Sequence, residues 1–285
     1  MFVYLNGKFY PEEEAKISVF DRGFIYGDGI FETMRAYEGK IFKLDEHLLR
    51  LRHSGALILL KISFSDEKLK EVLASTLARN DLKDAILRLT ISRGIGERGL
   101  GIDSCLDPTI VITTHPLPKL PPGYYKEGVS IVITKIRRLH PDCLNPAIKG
   151  ANFLNNILAK AEADKAGALE GVMLNLDGFV TEGSTSNIFV VQEKRIFTPS
   201  CEVGILRGVT RDTVIALAKE SGCQVFEEPF RKEFMLNADE AFLTNTSYEI
   251  MPVVRVDNKT VGQGRPGETT LKLLREFRKL LKKIN

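Results

Sequence analysis

The residue with the clearest chemical potential is Lys149, in the stretch NPAIKGANFLNN that runs from Asn145 to Asn156. Pro146 pushes Asn145 toward extended geometry, and helical spacing of Phe153, Leu154, Ile157, Leu158 and Ala161 predicts a helix from Asn152 to Gly167. Lys149 therefore stands in a short turn between ordered elements, beside Ile148, Gly150 and Ala151, which offer no carboxylate. A poorly hydrated lysine has its ammonium form disfavoured, which frees the amine to form a Schiff base with a carbonyl. A solvated surface lysine is the ordinary alternative, and residues further along the chain weigh against it. Glu182 stands in a tight polar bend just before Gly183-Ser184-Thr185-Ser186-Asn187. Gly208 opens the helix GVTRDTVIALAKESG, whose first N–H groups lack intrahelical partners and, with the Thr210 hydroxyl, suit a phosphate monoester. A second hydroxyl-rich end follows the strand DEAFLTN at Thr244, Thr246 and Ser247.

An amine, an acid in a rigid bend and phosphate-type anion sites suit pyridoxal phosphate. Its aldehyde needs the amine, its pyridine nitrogen needs the acid, and its phosphate needs N–H and hydroxyl donors. No metal-ligand cluster, Ser/His/Asp spacing or nucleophile elbow competes.

The elements that must position these groups follow from the hydrophobic pattern. FVYLNGKFY alternates about Asn6-Gly7 and reads as a hairpin with a type I′ turn. The glycines of DRGFIYGDG, beside Asp21, Asp28 and Tyr26, predict a tightly folded loop before the strand that carries Thr33. A helix from Asp45 holds Leu44, Leu48 and Leu51 on its apolar stripe and places His47 and Arg50 on another face. A second helix follows Ser65. The strand AILRLTIS turns Leu87, Leu89 and Ile91 one way and Arg88, Thr90 and Ser92 the other.

Gly94 to Gly99 matches G-x-G-x-x-G, but no helix opens after it and no acid follows at the ribose distance, so it is a glycine-rich turn whose Arg98 could grip an anionic substrate. Gly262 to Gly267 fails as a dinucleotide site because too little chain remains. The proline-rich stretch around PLPKLPP marks a boundary, giving a small domain over 1–117, a linker over 118–126 and a large domain over 127–285. In the C-terminal helix, Leu271, Leu274 and Phe277 should be buried and the lysines solvated.

Composition narrows the class. With 285 residues, 44% hydrophobic and 27% charged, the chain reads as a globular protein of about two domains. A net charge of +3 demands neither nucleic acid nor a membrane partner. Cys105, Cys143, Cys201 and Cys223 are too scattered for zinc and read as buried free thiols of a cytoplasmic protein.

Taken together, YGDGIFETMRAYEGKIFKLDEHLLRL, IKGANFLNNILAKAEA, GFVTEGSTSNIFVV, TPSCEVGILRGVTRD and ADEAFLTNTSYEIMPV closely resemble the class IV, fold type IV pyridoxal phosphate enzymes. That family contains branched-chain and D-amino acid aminotransferases and 4-amino-4-deoxychorismate lyase. The resemblance implies an α/β fold, a small α/β domain plus a larger one with a barrel-like sheet, active as a homodimer whose site is completed at the subunit interface. It implies Lys149 as Schiff-base lysine and proton shuttle, Glu182 on the pyridine nitrogen and Arg50 at the phosphate. Leu206 would pack on the ring, and Val209, Thr210 and Thr246 would supply phosphate donors. Ser247 and Tyr248 would offer backbone N–H groups near the substrate carboxylate, with Tyr26, Arg88 and Arg98 in substrate recognition.

The implied activity is transfer of an amino group between an amino acid, branched-chain or D-type, and a 2-oxo acid. The alternative is pyruvate elimination by the lyase. Branched-chain enzymes usually place glycine where Thr33 follows Glu32, and they carry a hydroxyl near the position of Phe153. A threonine at position 33 resembles the lyase, in which that hydroxyl assists catalysis.

Overall fold

The computed structural model describes residues 1–284 and divides them into two compact units. The first comprises 1–118 and 148–153; the second comprises 119–147 and 154–283. The short segment around Lys149 thus packs with the first unit although the chain on both sides of it belongs to the second.

In the first unit, β1 (Phe2–Leu5) and β2 (Lys8–Pro11) form the expected hairpin, with positive φ at both Asn6 and Gly7. The glycine-rich loop contains a short helix, α1 (Arg22–Tyr26), which Asp21 caps by accepting from the Gly23 N–H. Then come β3 (Gly29–Tyr37), β4 (Lys40–Ile41), α2 (Leu44–Leu57), α3 (Asp66–Arg79), β5 (Ala85–Ser92) and β6 (Thr109–Pro116). Ser65 caps α3 through the Lys68 N–H, the bond its residue type favours at a helix start. The six strands lie in the order β2-β1-β6-β5-β3-β4. One face of β3 buries Ile30, Met34 and Ala36 against Leu48 and Leu51 of α2 and Leu69 and Leu73 of α3. Removing such side chains from water is the main stabilising term.

The second unit runs α4 (Tyr124–Glu127), β7 (Val129–Arg137), α5 (Leu154–Lys165), β8 (Glu170–Leu174), β9 (Val180–Gly183), β10 (Asn187–Gln192), β11 (Arg195–Thr198), α6 (Val209–Glu220) and β12 (Val225–Glu227). It closes with α7 (Lys232–Leu236), β13 (Glu240–Asn245), β14 (Glu249–Val256), β15 (Lys259–Thr260) and α8 (Glu268–Ile284). Its nine-stranded sheet is mixed: β7 pairs in parallel with β8 and β14, β11 with β12, and the other pairs are antiparallel. Irregular registers interrupt the β7, β8 and β14 pairings, and such bulges bend strands and increase local twist. Phe189 and Phe242 stack at 4.8 Å between centroids on adjacent strands.

Three expectations change. The apolar stripe read for α5 is exposed at Leu154, Ile157 and Leu158, and its buried face is instead Asn156, Ala159 and Ala163. Helical spacing identifies a stripe but not what covers it. In α8 the buried apolar residues are Leu273, Leu274, Phe277 and Leu281, with Leu271 only partly covered. The cysteines are free, but Cys143 and Cys201 are exposed and the other two only partly covered. No helix among the described residues is long and apolar enough to cross a membrane, and none of their acidic, histidine and cysteine groups forms a metal cluster.

Candidate active site

Lys149 is held by its own backbone. Its N–H donates to Oγ of Ser54 on α2 at 3.1 Å, and its carbonyl accepts the Phe31 N–H at 3.0 Å. Ala151 N–H donates to Gly29 O, and Gly150 bridges Ile30, so the segment 149–151 runs along β3. The side-chain amine lies 4.7 Å from the Phe31 ring centroid, and the Arg88 guanidinium lies 3.8 Å from the same centroid. Arg88 Nε also donates to Thr90 Oγ1 at 3.2 Å. Antiparallel pairing sets Thr33 directly opposite Arg88, and two-residue periodicity puts Thr33 on the same face of β3 as Phe31.

On the opposite face of β3 stands Glu32, fully buried among Ile30 and Met34. Arg50 Nε and Nη2 donate to its two carboxylate oxygens, each at 2.7 Å, and His47 Nδ1 lies 2.7 Å from one of them. Burial alone would raise the Glu32 carboxyl, but the charge and forked hydrogen bonds of Arg50, with His47, hold it down to about 2. Burial lowers the pKa of His47, overriding the opposing pull of Glu32. Sequence reading placed His47 and Arg50 on one helix face and missed Glu32; the signal was an acid at an inward position of an apolar strand face.

Tyr26 and Arg98 are exposed. Between them lies buried Arg22, whose guanidinium carbon is 5.1 Å from the Tyr26 ring centroid. Arg22 donates to the carbonyls of Gly99, Leu100 and Gly101, directly after Arg98, and to Asp28 at 2.9 Å. Burial would raise the Asp28 carboxyl, but Arg93 and Arg22 hold it low.

In the second unit Glu182 is part of β9 rather than of the bend that follows, and it is buried. One carboxylate oxygen meets Arg138 Nη2 at 2.9 Å; the other accepts the Leu206 N–H at 3.0 Å and Asn187 Nδ2 at 3.3 Å. Asn187 Nδ2 also donates to Leu206 O, which ties the acid to the segment leading into α6. A Cβ on Gly208 would fall 2.0 Å from Asn187 Oδ1, so only glycine lets the chain pass into the Val209–Thr210 helix start. The adjacent bend is pinned by Glu170, unnoticed in the sequence, whose buried carboxylate accepts the hydroxyls of Ser184, Thr185 and Ser186 and two backbone N–H groups of the bend. Thr244 lies opposite Asn187 in the sheet, and Thr246 follows in the turn. The amides of Ser247 and Tyr248, expected to face a substrate carboxylate, both donate to Asn245 Oδ1 at 2.9 Å.

The family profile described as amino-transferase class IV matches residues 29–256. The chain is 44% identical over 278 residues to a putative branched-chain-amino-acid aminotransferase of Methanocaldococcus jannaschii, covering 98% of this chain and 96% of that one. It is 37% identical to a D-alanine aminotransferase of Bacillus licheniformis (95% and 93% covered) and 36% to an aminodeoxychorismate lyase of Bacillus subtilis (99% and 95%). The solved branched-chain amino acid aminotransferase of Escherichia coli superposes with a TM-score of 0.94 at 31% identity, over 98% of this chain and 94% of that one. The profile covers most of the chain and the sequence and fold matches nearly all of it, and the chain belongs to the class IV aminotransferases, fold type IV enzymes that depend on pyridoxal phosphate.

Proposed function

We propose that the protein moves an amino group between an amino acid, of the branched-chain or D-amino acid type, and a 2-oxo acid. The observation that carries this reading is the way β3 and Ser54 grip Lys149 on both sides of its Cα, leaving its amine against the Phe31 ring that Arg88 also contacts.

The donor set fits pyridoxal phosphate. Thr244 Oγ1 is buried and hydrogen-bonds to nothing among the described residues, and the N–H groups of Val209 and Thr210 begin a helix that no side chain caps. When bound, the cofactor supplies an aldehyde for the amine and an electron sink for the bonds around the substrate Cα. Lys149 would supply the amine and would move the proton at the substrate Cα as general base and acid. Glu182, held in place by Arg138 and by its hydrogen bonds, would face the pyridine nitrogen. Arg50, Val209, Thr210 and Thr246 would hold the phosphate, and Leu206 would pack on the ring. Tyr26, Arg88 and Arg98 recognise the substrate. The backbone N–H groups of Ser247 and Tyr248, which donate to Asn245 Oδ1, would receive its carboxylate.

The protein acts as a cytoplasmic homodimer with the active site at the subunit interface. Exposed Val19, Phe20 and Phe24 in the first unit and Leu154, Ile157 and Leu158 in the second support an apolar contact of that kind. The second reading, 4-amino-4-deoxychorismate lyase, is favoured by the Thr33 hydroxyl on the Phe31 face of β3.

Mixing the purified yellow enzyme separately with L-leucine, L-glutamate, D-alanine and D-glutamate tests both. Loss of the visible band with one enantiomeric series is the expected result. If none reacts and pyruvate is released from aminodeoxychorismate, the lyase reading replaces the first, and Thr33→Val should then remove most of that activity.

A further inference from the structure

Glu32 and His47 have no role in the chemistry assigned so far, yet they and Arg50 form one of the most completely hydrogen-bonded clusters of the first unit. Glu32 is fully buried, the Arg50 side chain is 13% exposed, and both carboxylate oxygens are engaged by the Arg50 fork and His47. His47 and Arg50 lie three residues apart on α2, so one helix face presents both to one strand position. A long arginine side chain free in solvent loses considerable rotamer entropy when it captures a ligand; one already clamped has lost it on folding. The carboxylate also offsets the arginine charge, so that an anion meets a donor fixed in direction rather than a bare cation.

We infer that Glu32, assisted by His47, is a positioning residue that fixes the Arg50 guanidinium and sets the preference of the protein for a phosphate-bearing cofactor over the same ring without its phosphate. This rests on the reading above that Arg50 serves the phosphate. Glu32 acts through Arg50 and touches no reacting atom.

The test is a spectrophotometric titration of the full chain, stripped of cofactor, with pyridoxal phosphate and with pyridoxal, taking the ratio of the two dissociation constants. The phosphate end is present in only one ligand, so a general loss of fold moves both constants and leaves the ratio alone. Glu32→Gln should reduce the preference for pyridoxal phosphate about tenfold, the worth of an oriented hydrogen bond to a charged group. His47→Ala, which keeps the ion pair and hence the fold, should reduce it about threefold. Arg50→Ala is the reference. If Arg50→Ala lowers the ratio but Glu32→Gln leaves it unchanged, the inference is overturned while the role of Arg50 stands. If Arg50→Ala leaves it unchanged, the phosphate reading itself fails. Should Glu32→Gln not fold, as judged by near-ultraviolet circular dichroism, His47→Ala decides, and an unchanged ratio there overturns the inference.

Discussion

Lys149 meets Phe31 twice, through a 3.0 Å backbone hydrogen bond from the Phe31 N–H and through an amine lying 4.7 Å from the ring centroid. Arg88 stands closer still to the same ring. A single aromatic side chain therefore orients two cations, each contact worth about 0.5 to 2 kcal/mol depending on how dry it is. Phe31→Leu should lower kcat about three- to tenfold and cost about 1 to 2 kcal/mol of stability, the latter from incomplete filling of the ring volume. Steady-state kinetics beside urea unfolding separates the two effects. Lys149→Ala should abolish both turnover and the visible band of the bound cofactor, and a yellow band surviving in that variant would remove Lys149 from the chemistry.

The acid side of the stability profile should carry the mark of Glu32. Its carboxyl falls from the usual 4.5 to about 2, so the unfolded chain binds the proton first as pH drops. The ion pair therefore contributes its full stability above about pH 4.5 and loses it progressively toward pH 2. Linkage puts the loss at about 3 kcal/mol. His47, with a lowered pKa, acts in the same direction from a higher starting point, its contribution declining as pH falls below the ordinary histidine value of 6.5. Urea midpoints at pH 7, 5 and 3 in the parent and in Glu32→Gln should converge as the pH is lowered. Parallel curves would contradict the assignment.

Gly208→Ala puts a methyl group where Asn187 Oδ1 now sits, and Asn187 cannot move without releasing both Glu182 and Leu206. We expect a loss of about 1 to 3 kcal/mol together with weaker cofactor retention on dialysis. Glu182→Ala should be more damaging, at about 3 to 5 kcal/mol, because it leaves Arg138 buried without its carboxylate. A Gly208→Ala protein with unchanged melting and full cofactor content would show that the turn has room the geometry denies.

Arg22 fastens the carbonyls of Gly99, Leu100 and Gly101, so the peptide bond after Arg98 should be protected although its side chain is exposed. In Arg22→Gln, tryptic cleavage at Arg98 should rise about tenfold more than cleavage at Lys259, an exposed residue of the second unit, since local opening rather than global unfolding limits the first. The KM for the amino acid substrate should rise with it. Equal acceleration at both sites would mean that Arg22 serves global stability alone.

Local chemistry determined much in advance. Asn6-Gly7 specified its turn because both residues must take positive φ, Ser65 specified the start of α3 because its hydroxyl accepts an orphan N–H, and Gly208 specified the start of α6. The Val209–Thr210 helix start was legible for the same reason, whereas Glu182, read as part of the bend, lies in β9. The family motifs extended that reading over nearly the whole chain.

What the sequence by itself left open depends on partners distant along the chain. Glu32 finds Arg50 and His47 on a helix, Glu182 finds Arg138 across forty-odd residues, and Glu170 reaches the hydroxyls of a bend more than ten residues on. A buried carboxylate is tolerable only where such partners converge, and convergence is a property of the fold rather than of spacing. The α5 stripe makes the same point from the apolar side. Its period could be read from Leu154, Ile157 and Leu158, but only the tertiary structure decided that the small Ala159 and Ala163 pack inward, with the α5 backbone so close to β8 that a Cβ added at Gly171 would fall 2.5 Å from Ala159 O.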